Sequence, residues 1–171
     1  MRNQNRSHSA LIAKRNGEHF EKLIEITCAY YSKMNIAHIQ KTPEPMKILS
    51  VIDKTKGHFR AHFEKKAQPD FTGTLKDGKS IVFEAKHTED PSIRFDRINM
   101  IQEQDLKLHD SLGAYSFILV SFKMRSFYAI PVEDWMHLKL TSGKKSVNQN
   151  EISEFEIAYG NGVLNIVGGI T

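Results

Sequence analysis

Between Gly17 and about Met34, the side chains Phe20, Leu23, Ile24, Thr27, Cys28 and Tyr31 recur at intervals of three and four. That spacing collects them on one side of an α-helix and predicts an amphipathic one. Residues 1 to 15 show no apolar period and are expected to form a flexible arm. Ile36 to Gln40 read as a short strand, after which Pro43 and Pro45 interrupt regular structure. From Asp70 to Lys86 the chain reads strand, turn, strand, with Lys76, Asp77 and Gly78 at the turn. A second helix is expected from about Asp96 to Leu112, with Ile98, Ile101, Asp105, Leu108 and Leu112 along or near one face and Gly113 as its stop. The unbroken apolar run Tyr115 to Phe122 has the length and β-branched content of a buried strand. Phe127 to Pro131 looks like its neighbour, Pro131 to Met136 opens a short helix, and two weak strands lie beyond Glu151, separated by Gly160 and Gly162. This order of helices and strands predicts an α/β fold, a mixed sheet flanked by helices.

At 171 residues the chain suits one domain, here 16–171 behind the arm, rather than two. No apolar run approaches the roughly 20 residues of a membrane span. The polar, basic N-terminus lacks the apolar core of a secretory signal, so the expectation is a cytoplasmic protein with no membrane partner. The single cysteine, Cys28, excludes an intrachain disulfide and a cysteine-rich zinc cage, and its apolar surroundings make it a core thiol. Charge is uneven along the chain. Arg2, Arg6, Lys14 and Arg15 all precede the first acidic residue, Glu18, and such a basic arm suits a polyanion such as DNA. A second basic stretch runs from Met46 to Lys66, where Lys47, Lys54, Lys56, Arg60, Lys65 and Lys66 stand against Asp53 and Glu64, among Phe59, His58, His62 and Phe63. His58 and His62 lack an H-E-x-x-H setting and are read as DNA-contacting or surface residues.

The most informative chemistry lies between Asp70 and Lys86. If Lys76, Asp77 and Gly78 form a three-residue loop, Leu75 pairs with Lys79 and Asp70 falls opposite Glu84. Opposed side chains have Cβ atoms about 4.5 to 5.5 Å apart, close enough for two carboxylates to share a magnesium ion at about 2.0 to 2.1 Å. Lys86 shares their face, because side chains alternate along a strand. A two-residue turn of Asp77 and Gly78 would instead pair Asp70 with Ala85 and turn it away. Ile81, Val82 and Phe83 are apolar on both faces, so charges arise only at the end of a buried strand. Carboxylates crowded there repel one another unless a cation lies between them. A metal so held activates water, Lys86 orients that water or offsets developing charge, and the chemistry is phosphodiester hydrolysis.

The P-D…E-A-K arrangement of Pro69, Asp70, Glu84, Ala85 and Lys86 behind an N-terminal helix resembles the PD-(D/E)xK nuclease superfamily. The runs NGEHFEKLIEITCAYY, KTPEPMKILSV, HFEKKAQPDFTG, IVFEAKHT and IQEQDLKLHDSLGAYSFILVSF, over roughly residues 16 to 122, resemble the ordered motifs of RecU-type Holliday junction resolvases. The resemblance implies a restriction-endonuclease-like fold and a homodimer acting on four-way DNA junctions. It also implies a stalk, about residues 45 to 66, that projects into the junction centre. It assigns Asp70 and Glu84 to metal binding, Lys86 to the transition state and Gln104 to the metal, with Glu21 as a supporting acidic residue. Gln68 stands where the family commonly has a threonine ligand. Magnesium is the implied cofactor, replaceable by manganese, and a recombinase is admitted as partner. The same residues also fit a superfamily nuclease of linear or damaged DNA, or a DNA-binding recombination accessory protein that does not cut.

Overall fold

In the computed structural model, residues 2–63 and 68–168 are described, with side chains from residue 11 onward. The strands are β1 (Ala37–Lys41), β2 (Met46–Asp53), β3 (His58–Phe63), β4 (Phe71–Leu75), β5 (Ser80–Thr88), β6 (Ser92–Arg94), β7 (Tyr115–Phe122), β8 (Ser126–Pro131), β9 (Ser146–Asn148), β10 (Glu156–Ile157), β11 (Tyr159–Gly160) and β12 (Val163–Leu164). The helices are α1 (Arg2–Lys33), α2 (Met100–Ser111) and α3 (Val132–Thr141), with short 3-10 segments at Phe95–Arg97 and Gln149–Phe155. Six strands form the central sheet in the order β1-β4-β5-β7-β8-β10. It is mixed, since β5 and β7 run parallel, joined through α2, while the other neighbours are antiparallel.

Alternation along the two central strands divides the core. Ile81 and Phe83 of β5, with Phe117 and Leu119 of β7, pack with Phe20 and Ile24 of α1. Val82, Ile118 and Val120 face the other way, against Ile98, Leu106, Tyr128 and Trp135. Both sheet faces are therefore covered, which is why β5 and β7 read as continuous apolar runs. Trp135 and Tyr128 are core residues, as is Cys28, whose thiol burial pushes up to about 12, with help from Glu25. Gly73 admits the close approach of β1: a Cβ there would lie 2.2 Å from the His38 carbonyl oxygen.

Two sequence expectations change, and a third segment gains a definite structure. Residues 2–15 continue α1 rather than forming an irregular arm. The second helix starts at Met100, capped by Asn99, after a separate 3-10 turn. Its buried residues are Glu103 and Leu106, whereas Ile101, Leu108 and Leu112, placed by periodicity near the core face, are 58%, 58% and 78% exposed. Finally, β2 and β3 form a hairpin with two register shifts that pairs with no other strand among the described residues.

Candidate active site

The turn between β4 and β5 is the longer of the two considered. Leu75 N–H donates to the Lys79 carbonyl at 2.8 Å, Gly78 has φ +89°, and the pairs Phe71 with Phe83 and Thr72 with Val82 continue outward. Gly78 suits this loop because a left-handed conformation costs glycine little. The register points Asp70 at Glu84 one step beyond the last pair, on the sheet face that carries α2.

Lys86 reaches both carboxylates: its Nζ donates to Glu84 Oε2 at 2.7 Å and to Asp70 Oδ2 at 3.4 Å. The Ala85 N–H donates to Asp70 Oδ2 at 2.9 Å, fixing that carboxylate against the backbone of the opposite strand. The two acids differ in environment, the Glu84 side chain being 1% exposed and that of Asp70 36%. Burial pushes Glu84 up to about 7; Lys86 opposes that rise and Asp70 adds to it. Burial works against the charge of Lys86, but the neighbouring Asp70 and Glu84 outweigh it and hold the ammonium above the usual lysine range.

The glutamine that meets Glu84 is Gln102, not Gln104. Gln102 Nε2 donates to Glu84 Oε2 at 2.7 Å, while its Oε1 accepts from the Asn99 N–H and Nδ2 at 3.2 and 2.9 Å. Gln104 is exposed, because two residues along a helix is about 200° of rotation. Sequence reasoning missed Gln102. The signal available was the N-x-x-Q spacing of Asn99 and Gln102, a capping box that sets the start of α2.

Two cavities open on either side of Asp70, which borders both. The first, about 540 Å³, lies between the base of the β2–β3 hairpin and the start of α2, and Gln68, Asp70 and Gln102 line it. Gln68 is exposed there and makes no hydrogen bond among the described residues, so its amide is not held on the carboxylates. The second, about 760 Å³, lies between α1 and the end of β5, with Lys14, Glu21, Lys86 and Arg97 in its wall. Glu21 is paired there with Lys41 of β1 at 2.6 Å. His87, on the opposite strand face from Lys86, is buried and bonded to Ser121 and Glu89, and Glu89 accepts from Asn16 of α1. That network ties the end of β5 to α1.

Of the basic residues singled out for DNA, Lys54, Lys56 and Arg60 are exposed on the hairpin, and Lys14 and Arg15 are exposed on α1. Lys65, Lys66 and the side chains of Arg2 and Arg6 lie outside what the structure describes. His58 and His62 face solvent on β3.

An opposed carboxylate pair, one member buried and disfavoured as an anion, with an amide bonded to it, is donor chemistry for a hard divalent cation that retains much of its water. No group of three His, Cys, Asp or Glu side chains gathers among the described residues, and a structural zinc cage would need more protein ligands.

The family model for RecU, Recombination protein U, matches residues 15–167. The chain is 31% identical over 160 residues to a protein named Holliday junction resolvase RecU from Listeria welshimeri, covering 85% of this chain and 77% of that one. It is 27% identical over 146 residues to a protein of the same name from Bacillus mycoides, covering 81% and 72%. Among solved structures, Hjc, a Holliday junction resolvase of Archaeoglobus fulgidus, aligns with a TM-score of 0.51 at 10% identity over 80% of this chain and 91% of that one. At that identity the likeness is one of fold, the restriction-endonuclease-like mixed sheet flanked by helices.

Proposed function

We propose, from the premise that this chain belongs to the RecU family of recombination proteins, that it is an endonuclease resolving Holliday junctions by magnesium-dependent phosphodiester hydrolysis. The observation that carries this reading is the meeting of Asp70, Glu84 and Lys86 at the end of the β4–β5 hairpin. Asp70 and Glu84 would hold the ion, with manganese an acceptable substitute, and Gln102 keeps Glu84 turned toward it. When bound, the ion supplies a water of lowered pKa and offsets charge on the phosphate. Lys86 carries its proton throughout and donates toward the attacked phosphoryl oxygens, where negative charge builds. The Ala85 N–H keeps Asp70 from rotating away.

Resolution needs two strands cut symmetrically and each site cuts one, so the working form is a two-fold homodimer. The β2–β3 hairpin supplies the stalk, its exposed Lys54, Lys56 and Arg60 approaching the phosphates at the junction centre. The test is cleavage of a synthetic four-way junction with and without magnesium, beside an Asp70→Asn variant. Paired symmetric nicks that need magnesium are expected, while Asp70→Asn binds without cutting, because the basic surface survives. Equal cutting of linear duplex would instead mean a general nuclease. Binding by the unsubstituted chain with no nicks under any divalent ion would make the chain an accessory protein.

A further inference from the structure

Helix α2 turns apolar side chains outward directly beside the candidate site. Met100 and Ile101 are 69% and 58% exposed, yet they open the helix whose third residue, Gln102, is bonded to Glu84. The Asn99 cap, accepting from Ile101 and Gln102 N–H groups at 2.9 and 3.0 Å, fixes this first turn. Pro43, Pro45 and Pro69 line the same cavity, which Asp70 also borders. Among the described residues its charged members, Glu44 and Asp70, are acidic, so the lining offers a phosphate the hydroxyl of Thr42 and the amides of Gln68, Asn99 and Gln102 but no cation. A nucleobase gains more, because its flat face packs on apolar side chains, and Met, Ile and Pro are residue types that separate stacked base steps.

We infer that this cavity takes an unstacked base from a nucleotide adjoining the scissile phosphate, with Met100 and Ile101 as the wedge. The inference rests on the nuclease reading above and adds to it a determinant of substrate choice. Unstacking costs least where stacking is already broken. The wedge therefore favours a branch point over continuous duplex, using shape rather than base-edge contacts. Leu108 of α2 and Leu112 just beyond it are exposed as well, which makes a second copy of the chain the competing occupant of this face.

The experiment places 2-aminopurine on either side of the mapped nick in a synthetic four-way junction and binds it with the full-length Asp70→Asn chain. Fluorescence should rise on binding at one of these positions, and adding Met100→Ser with Ile101→Ser should remove the rise while binding persists. In the otherwise unsubstituted chain the same pair should slow junction cleavage about tenfold or more. On a junction abasic at that nucleotide the loss should be much smaller, and Met100→Leu should cleave nearly normally. Unchanged fluorescence in a bound complex, or an equal loss on intact and abasic junctions, overturns the inference while leaving the nuclease reading in place. A fall from dimer to monomer mass on substitution assigns the face to a second copy and overturns it too. Failure of the unsubstituted chain to bind or cut any junction sinks both.

Discussion

Lys86 gives its ammonium to two carboxylates, and Gln102 gives its amide to one of them, so Glu84 is held from two directions inside a site that disfavours its charge. Removing the amide leaves Lys86 alone to orient the carboxylate. Gln102→Ala should therefore slow cleavage by about 10 to 100-fold and raise the magnesium concentration needed, as loss of a group orienting a metal ligand commonly does. Gln104→Ala should stay near the unsubstituted rate, and initial rates across a magnesium titration decide between them; the reverse ranking returns the role to Gln104. The carboxylates and Lys86 were legible in the sequence because a three-residue loop and a period of two fix which side chains oppose each other. The glutamine was not. Helix phase depends on where the helix starts, which Asn99 and the preceding 3-10 turn decide, and α2 carries apolar residues on more than one face.

Among the elements, the buried strand Tyr115–Phe122 matches its sequence reading because an apolar run with both faces covered has one place to go. Helix α1 is longer than its apolar period implied, so Lys14 and Arg15 sit on a rod in place of a loose arm. The β2–β3 segment showed charge and aromatic content without a clear period, since nearly every side chain in it is exposed and no buried face imposes alternation. Its role is testable by converting Lys54, Lys56 and Arg60 together to alanine. Affinity for a four-way junction should fall more than affinity for linear duplex at the same salt, because only a branched substrate has a centre to fill. The slope of log affinity against log salt should flatten by about 0.9 for each phosphate that is no longer neutralised. Equal losses on the two substrates would reduce the hairpin to a general phosphate-binding surface.

Across the whole molecule, the site's electrostatics feed into stability through Glu84. Its folded value of about 7 lies above its ordinary 4.5, so the group favours the folded state most strongly below pH 4.5 and loses that contribution as pH rises through about 7. Metal-free protein should accordingly show a melting temperature that declines over this window, and Glu84→Gln should remove that component. Added magnesium, which selects the ionised carboxylate, should stabilise increasingly over the same interval. Thermal melts at several pH values with and without the ion check both, and a magnesium effect indifferent to pH would contradict the assignment of Glu84 as a ligand.

The free-standing hairpin has a further consequence, for colloidal behaviour. Ile48, Val51, Ile52, Phe59 and Phe63 are exposed on two strands whose outer edges pair with no other described strand, an arrangement that invites edge-to-edge aggregation. Two features restrain it: the register shifts at Ile48/Ser50 and Val51/Asp53, which twist the ribbon, and the lysines along it, which repel a neighbouring copy. Salt screens the second restraint and leaves the first. Solubility without DNA should thus fall as ionic strength rises, and the nucleic acid proposed to occupy the hairpin would also keep it from its own kind.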